Sequence, residues 1–500
     1  MRNSKPIFYS ALMLTGVNLL LRVVGTTFHV YLSRRIGAAG LGLLQLVMSV
    51  GNLAMVAGVA GIRTATMYLT AEELGKGRPE NVSRVLSSCF AYSILCSSTI
   101  GLGLYTGAPL LAKHWIGNTQ TISALRVFAA FLPIVCLCGV MSGYFTAANR
   151  IGSLAAVEVA EQLCAMVITL LALFIWAGTD PERACLSVVL GSSLASCVTL
   201  TLLTFLRLRE HAGIGKPFPI RARLLHAAVP LAAADLVRSG INTAENLLIP
   251  SRLALYSAEP DPLSAFGRIS GMVFPVMMFP ACILFALAEL LIPELARCRA
   301  ANSQDRILYL VKKSLWAAML YGIFFGGLIF LFAVPLCTSL YKNPEAGRNL
   351  RLYALMIPFL YCDAVTDAMT KGLGQQKICV RYNILTSAMD VLFLFLLLPK
   401  YGMAGYFFSF LTTHLLNFAL SLRRLCVITG FRILFYLPAY SACAGILAVW
   451  ISQLLGMPAA YIPCFIGLLF LFGILKKEDI LWAKNLITNR KSRAFAAQTG

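Results

Sequence analysis

Charged residues are scarce in this sequence, and acidic ones are especially few. Asp, Glu, Lys and Arg together make up 13% of the 500 residues, whereas a soluble domain carries roughly a quarter. No polar stretch of mixed charge is long enough to enclose a hydrophobic core of its own. This scarcity excludes a substantial soluble domain.

Several chemical signatures are also missing. The sequence has no Gly-rich phosphate-binding loop ending in Lys-Ser or Lys-Thr, so no nucleotide is expected as a cofactor or energy source. Its 15 cysteines include no pair with Cys-x-x-Cys spacing, and most lie in apolar runs as small apolar residues. We therefore expect no structural disulfide, no metal site and no cofactor.

Long apolar runs fill the chain from end to end. Hydrophobic residues make up 59% of it, and the mean hydropathy is +0.78. A helix that crosses the hydrocarbon core of a bilayer needs about 20 apolar residues. The runs predict an all-α polytopic membrane protein with about fourteen transmembrane helices. In chain order the predicted spans are residues 8–32, 41–70, 85–109, 122–147, 154–178, 184–206, 224–250, 267–294, 309–337, 352–370, 382–398, 403–421, 433–454 and 458–475. The seventh span, residues 224–250, is the least hydrophobic.

The basic residues predict the orientation in the membrane. The formal net charge is +21, and most Lys and Arg residues fall in segments that are cytoplasmic if the N-terminus is inside. Because such residues favour the cytoplasmic side, both termini are predicted to be cytoplasmic. Arg34 and Arg35, in the first outer loop, are the exception. The charge lies beside the spans, where it can attract anionic membrane lipids, so it does not indicate nucleic-acid binding.

An internal repeat is visible in the sequence. Residues 125–133 (LRVFAAFLP) and 350–358 (LRLYALMIP) match at an offset of 225, and each opens an even-numbered span. Transporters built from two such halves bind substrate between them. The predicted division is an N-terminal six-helix lobe (1–206), a cytoplasmic linker (207–223), a C-terminal six-helix lobe (224–421), two appended transmembrane helices (422–475) and a basic cytoplasmic tail (476–500).

Polar residues follow one face of several spans at helical spacing. Charges are costly in hydrocarbon, so these faces should point at protein or at water. Pairing between helices is one explanation, and a hydrated central cavity is the one favoured by their spread over both halves. The predicted substrate-binding residues are Asn18, Arg22, Arg63, Asp235, Arg238, Asn242, Glu245 and Arg268. The possible ion-coupling residues are Glu158, Glu161, Asp363, Asp367 and Asp390.

The arginines in the spans indicate the charge of the substrate, and the missing nucleotide motif restricts the energy source. Arg22 and Arg238 occupy corresponding spans of the two predicted lobes, and a guanidinium group forks onto phosphate oxygens, so an anionic headgroup suits the cavity. Without a nucleotide site, transport is expected to be secondary. Pro275 and Pro280 in the eighth span, with Gly271, are places where the helix could bend during transport, and a purely structural kink is the alternative.

Six short segments spread over nearly the whole chain form a recognisable pattern. They are Arg22–Gly25 (RVVG), Arg35–Gly42 (RIGAAGLG), Phe266–Pro275 (FGRISGMVFP), Leu291–Glu294 (LIPE), Lys371–Gln376 (KGLGQQ) and Tyr401–Gly405 (YGMAG). These segments resemble the stage V sporulation protein B family, most specifically over residues 266–294.

This family groups with polysaccharide transporters and lipid II flippases, in a superfamily that also holds multidrug and toxin extrusion exporters. The resemblance implies two six-helix lobes around a central cavity, and movement of a lipid-linked sugar from the inner to the outer leaflet. The family's cavity arginine carries over onto Arg22, and a second-half arginine onto Arg238 or Arg268. The chain departs from the pattern at Arg63 and at residues 148–150.

Three functions compete. The leading hypothesis is a flippase in a bacterial cell membrane for an undecaprenyl-linked cell-wall or polysaccharide precursor, acting in sporulation, growth or capsule synthesis. The second is a cation-coupled multidrug exporter of the same fold. The third, a membrane glycosyltransferase or polymer ligase, is disfavoured because the outer loops are short. A monomer is expected, although the sequence leaves the oligomeric state open.

Overall fold

The structure, a computed structural model, describes residues 4–59, 61–177, 180–209, 220–431 and 436–475. Every regular element in these ranges is helical. The α-helices, in chain order from α1 to α16, are Ser4–Val59, Ile62–Gly75, Val82–Leu110, Ile122–Ala147, Ile151–Ala172, Pro181–Leu208, Ile220–Leu253, Pro262–Gly267, Phe274–Met278, Ala281–Ala300, Gln304–Tyr341, Pro344–Tyr353, Ile357–Gly372, Gln376–Thr429, Tyr436–Leu454 and Tyr461–Leu471. The predicted tail 476–500 and most of the linker 207–223 lie outside the described residues.

Each predicted span coincides with a helix. Among the described residues, nine helical stretches are long and apolar enough to cross a membrane, or ten if the bent pair α8–α9 and α10 counts as one span. Two of the nine, Leu20–Gly75 and Gln376–Thr429, each contain two predicted spans. The seventh span is helix α7, whose many polar residues keep it below the hydropathy of the others, and the fourteenth includes the short helix α16.

Two glycines divide the longest helices. Gly37 in α1 has φ 69°, and Gly402 in α14 has φ 56°. Side chains disfavour this left-handed region, so glycine allows the chain to leave one span and enter the next without a loop. The eighth span bends by 63° between Met278 and Ala281, at Pro280, and both a transport hinge and a purely structural kink are consistent with this bend.

The helices form two compact units. Unit 1 contains Met1–Ala286, Ser339–Ala346 and Val380–Leu416. Unit 2 contains Leu287–Thr338, Gly347–Cys379 and Asn417–Gly500. These units follow contacts and not the sequence repeat, so the predicted lobes 1–206 and 224–421 stay a prediction.

Unit 1 has its hydrophobic core where α2, α3, α4 and α6 meet. The core residues are fully or almost fully buried, as aliphatic side chains on adjoining helix faces should be. They include Ile62, Leu69, Val85, Val140, Phe145 and Leu203.

Unit 2 packs α15 and α16 onto α11. Tyr461 at the start of α16 is completely buried, and its hydroxyl donates a hydrogen bond to the carbonyl of Ile323 at 3.1 Å. The ring fits against Gly327, where an added Cβ would collide with the phenol. In the internal repeat, Gly327 corresponds to Leu102, which lies 225 positions earlier and has a side chain that is 67% exposed.

The sequence repeat is matched by a repeat in packing. In unit 1, a Cβ added at Gly101 would lie 2.8 Å from the carbonyl oxygen of Ala129. In unit 2, a Cβ added at Gly326 would lie 3.2 Å from the carbonyl oxygen of Ala354. Both residues of the second pair follow those of the first by 225 positions. Small residues thus bring α3 close to α4, and α11 close to the helix that starts the tenth span, in the same way.

Two contacts between an arginine and an aromatic ring are related by the same offset of 225 residues. The guanidinium carbon of Arg126 lies 5.1 Å from the ring centre of Tyr105. That of Arg351 lies 4.5 Å from the ring centre of Phe330. The matching contacts support a duplication of the chain beyond the nine-residue sequence match.

Candidate functional site

A cluster of polar side chains lies among the apolar helices of unit 1. Asp390 on α14 is only 5% exposed and accepts hydrogen bonds from the hydroxyls of Ser409 at 2.5 Å and Thr413 at 3.3 Å. Glu245 on α7 lies within hydrogen-bonding reach of Asp390. We call these four residues the carboxyl cluster.

Local structure explains why the cluster forms. Gly402 turns the chain between the two halves of α14, so that Asp390 meets residues 409 and 413 of the returning half. Ser409 and Thr413 are one helical turn apart and therefore share a face. His414 stands beside the cluster, within electrostatic range of Asp390, and its ring centre lies 4.3 Å from that of Phe410.

Two carboxyl groups in contact within a low-dielectric interior repel each other when both are charged. The Glu245–Asp390 pair therefore needs a proton or a cation. Among the described residues, no three His, Cys, Asp or Glu side chains gather in a metal-binding arrangement. The neighbours of the pair include the hydroxyl groups of Ser409 and Thr413, whose oxygens suit a proton or a hard monovalent cation, and the imidazole of His414.

Arg22 on α1 is accessible, and its guanidinium carbon lies 5.7 Å from the ring centre of Phe285 on α10. It forms no ion pair with any residue that the structure describes. An arginine over an aromatic face keeps its N–H edges free for an anion. The side chain of Asn18, predicted to share this face, lies outside the described part of α1.

The predicted polar face of α7 is accessible over the residues that precede Glu245 on the helix. Asp235, Arg238 and Asn242 are all exposed. The alternative that Asp235 and Arg238 neutralise each other finds no support, since neither forms an ion pair with a described residue. Of the predicted residues on α7, Glu245, which is three residues beyond Asn242, joins the carboxyl cluster.

The polar face of α5 meets two partners in unit 1. Arg63 lies within electrostatic range of Glu158, and Glu158 within range of Glu161. The hydroxyl of Ser196 on α6 donates to Glu161 at 3.1 Å. The structure thus brings Arg63 to the acidic pair that was predicted as a separate, ion-coupling group.

Arg268 lies in an ion-pair network at the start of the eighth span. Its guanidinium is 3.4 Å from Glu259 and 3.2 Å from Glu345. Nearby in the same unit, Arg34 donates to the carbonyls of Ser339 and Leu340, each at 2.5 Å. Two arginines therefore bind the segment Ser339–Ala346, and the guanidinium of Arg268 is already neutralised by carboxylates.

The acidic residues of the tenth span lie in unit 2. Asp363 accepts two hydrogen bonds from the side-chain amide of Asn417, both at 3.1 Å. Asp367 pairs with Lys371 one turn away at 2.6 Å, as helix neighbours of opposite charge do. These carboxylates have local partners and are not part of the carboxyl cluster.

Ser409, Thr413 and Asn417 were not predicted as site residues, although a signal for them exists. With Ser421 they recur every four residues along the twelfth span, and all four are buried. Phe285 carried no such signal, because an aromatic residue in an apolar run looks like ordinary core.

The polysaccharide biosynthesis protein family matches residues 8–298, more than half of the chain. The chain belongs to this family. Among curated relatives, stage V sporulation protein B of Bacillus subtilis is 19% identical over 94% of this chain and 96% of its own length. Sporulation protein YkvU of the same organism is 23% identical over 71% of this chain and 80% of its own length. The predicted family resemblance is confirmed.

Solved structures of two transporter types have a similar fold. The lipid II flippase MurJ in an inward closed conformation matches 94% of this chain and all of that chain, with 12% identity and a TM-score of 0.70. An inward-facing multidrug resistance MATE family transporter matches 85% of this chain and 99% of that chain, with 14% identity and a TM-score of 0.68. The predicted fold class, an all-α polytopic membrane protein, is confirmed.

Proposed function

We propose that this member of the polysaccharide biosynthesis protein family is a flippase that moves a lipid-linked saccharide from the inner to the outer leaflet. The substrate class is an undecaprenyl-type lipid carrying a cell-wall or polysaccharide precursor. The protein acts by alternating access in a bacterial cell membrane, with both termini cytoplasmic, and performs no covalent chemistry.

The observation that carries the proposal is the state of Arg22. In a family named for polysaccharide biosynthesis, this arginine is accessible, stacked on Phe285 and without a carboxylate partner among the described residues. A lipid-linked saccharide offers phosphate oxygens, which a guanidinium binds with two parallel hydrogen bonds. Arg238, also accessible and without an ion-pair partner in the described chain, supplies a second cation.

The carboxyl cluster supplies a means of coupling. A proton or monovalent cation that binds between Glu245 and Asp390 removes their repulsion and changes the charge of α7, the helix that also carries Arg238. Ion binding and substrate binding can then favour different conformations, as secondary transport requires.

A multidrug exporter of the same fold is the second candidate. It is favoured by the carboxyl cluster together with the fold similarity to the MATE transporter. Such a protein binds organic cations, for which the accessible arginines are unfavourable. The substrate's charge therefore separates the two candidates.

The test is a flipping assay in proteoliposomes with a fluorescent lipid-linked saccharide, run with and without imposed proton and sodium gradients. We expect flipping above that of protein-free liposomes, and no uptake of a cationic dye such as ethidium. Gradient-driven ethidium transport without saccharide flipping would replace the flippase by the exporter.

A further inference from the structure

A pocket of about 270 Å³ lies in unit 2 where the turn after α15 passes over α11. Three apolar side chains of α11 form one wall, and the last turn of α15 and the start of the tenth span provide polar groups. The lining includes Phe330, Leu331, Val334, Arg351, Ser452 and Gln453.

Two hydrogen-bond donors of the pocket are available to a ligand, whereas the Ser452 hydroxyl already donates to the carbonyl of Ala448 at 2.7 Å. Arg351 stacks on Phe330, and neither Arg351 nor Gln453 has a hydrogen-bonding or ionic side-chain contact within the described part of the chain. The backbone N–H groups of Gly456 and Met457 are already bonded to carbonyls of the same turn. The guanidinium and the amide are thus the groups available to a ligand.

The repeat shows that this pocket is a special feature of the second half. Arg126 stacks on Tyr105 as Arg351 stacks on Phe330. In unit 2, Gly327 admits Tyr461, so that α15 and α16 pack on α11 and bring their connecting turn over the stacked arginine. The corresponding residue of α3, Leu102, is exposed.

From these contacts we propose that the pocket binds the phosphate headgroup of a membrane lipid. The cationic and amide donors match phosphate oxygens, and the adjoining wall of α11 is apolar, as acyl or prenyl carbons require. The volume equals that of about nine water molecules, so it holds a headgroup, and the chains lie along the helices in the bilayer. By the predicted orientation the site belongs to the outer leaflet, and it is independent of what the protein transports.

Phosphate is common to bulk phospholipids and to a polyprenyl phosphate, so the experiment compares the two. Purified protein is delipidated, incubated with phosphatidylglycerol, undecaprenyl phosphate or phosphate-free diacylglycerol, and analysed by native mass spectrometry. We expect both phosphate lipids to be retained over diacylglycerol, with Arg351→Gln lowering their retention about tenfold, the effect of losing a charge-assisted hydrogen bond. Stronger retention of one phosphate lipid identifies the source.

Arg126→Gln is the matched control, because it removes the equivalent stacked arginine from the half without the overlying turn. It should retain both lipids as the unmodified protein does. Val334→Phe fills the pocket while keeping its charge, and should lower retention even if Arg351→Gln fails to fold. Equal retention of diacylglycerol, an equal loss in Arg126→Gln, or full retention by Val334→Phe and Arg351→Gln would overturn the proposal.

Discussion

Glu245 on α7 and Asp390 on α14 bring two carboxyl groups within hydrogen-bonding reach inside the apolar part of unit 1. The hydroxyls of Ser409 and Thr413 are directed at Asp390. Nothing about the stability of an apolar helix pair requires two acids at this position, and burying them is unfavourable. Their placement supports the proposal that an ion binds between them.

Asp390→Asn should uncouple transport from the ion gradient. The remaining acid no longer has a carboxyl group to repel it, and the new amide oxygen still accepts from Ser409 and Thr413, so the protein should fold with a near-normal yield. Flipping in proteoliposomes with proton or sodium gradients provides the measurement. Asp363→Asn, an equivalent change at a carboxylate held by Asn417, is the control. Equal gradient dependence in unmodified protein and Asp390→Asn would contradict coupling at this cluster.

Arg22→Ala should nearly abolish flipping while leaving thermal stability almost unchanged, because the structure gives Arg22 an aromatic contact and no carboxylate whose charge would be left unpaired. Arg22→Lys keeps the charge but loses the bidentate geometry, so it should flip more slowly, by about tenfold or more. Stability and flipping are measured on the same preparations.

Arg126→Ala is the matched control for Arg22, since it also removes an arginine stacked on an aromatic ring. It should flip at a normal rate. A well-folded Arg22→Ala, Arg238→Ala double variant that flips normally would refute phosphate binding by these arginines.

Glu259→Gln should lower the thermal midpoint more than Glu345→Gln. Both carboxylates pair with Arg268, but the Glu259 side chain is 19% exposed and that of Glu345 is 52% exposed. Solvent screens the second pair, which should contribute less than about 1 kcal/mol, whereas loss of the better-buried partner should cost roughly 1–3 kcal/mol. A double-mutant cycle with Arg268→Ala measures each coupling. Coupling of equal size to the two acids would contradict this ranking.

Gly327→Ala should destabilise the packing of α16, since the added methyl group collides with Tyr461. Overpacking typically costs about 1–3 kcal/mol. Tyr461→Phe removes the nearest colliding atom but keeps the ring carbon Cζ, which would lie 2.5 Å from the added Cβ, so it should rescue the variant only slightly. By itself it loses one hydrogen bond of roughly 0.5–1.5 kcal/mol.

Gly467→Ala, on the same appended pair, is the control for Gly327→Ala, because an added Cβ there meets no atom within 4 Å. It should leave the thermal midpoint unchanged or slightly raised. Additive effects of Gly327→Ala and Tyr461→Phe would show that the two residues do not compete for the same space.

The fold was predictable because membrane spans are long, local features. A run of about 20 apolar residues must be helical in lipid, and the least hydrophobic predicted span, which carries Asp235, Arg238 and Glu245, also lies within one helix, α7. The eighth span is bent at Pro280, where a place for bending was expected, since proline interrupts helical hydrogen bonding wherever it occurs.

The site was less predictable because it depends on which helices touch. Asp390 and Glu245 were both identified as polar residues in spans, yet they were assigned to different roles, ion coupling and substrate binding. Their contact joins residues 145 positions apart in sequence, and a pattern within one helix contains no information about such a pair. Likewise, nothing near Arg268 in the sequence indicated its partner Glu345.

The glycine breaks at residues 37 and 402 have a mechanical consequence. Each joins two spans through the two dihedral angles of one residue, whereas a flexible loop would let the spans move independently. When one span tilts, the neighbouring span must therefore tilt with it, unless the φ or ψ angle of that glycine changes. At Gly402 one of the two joined spans carries Asp390 and the other carries Ser409, so a change in the angle there alters the distance between the Asp390 carboxylate and the Ser409 hydroxyl.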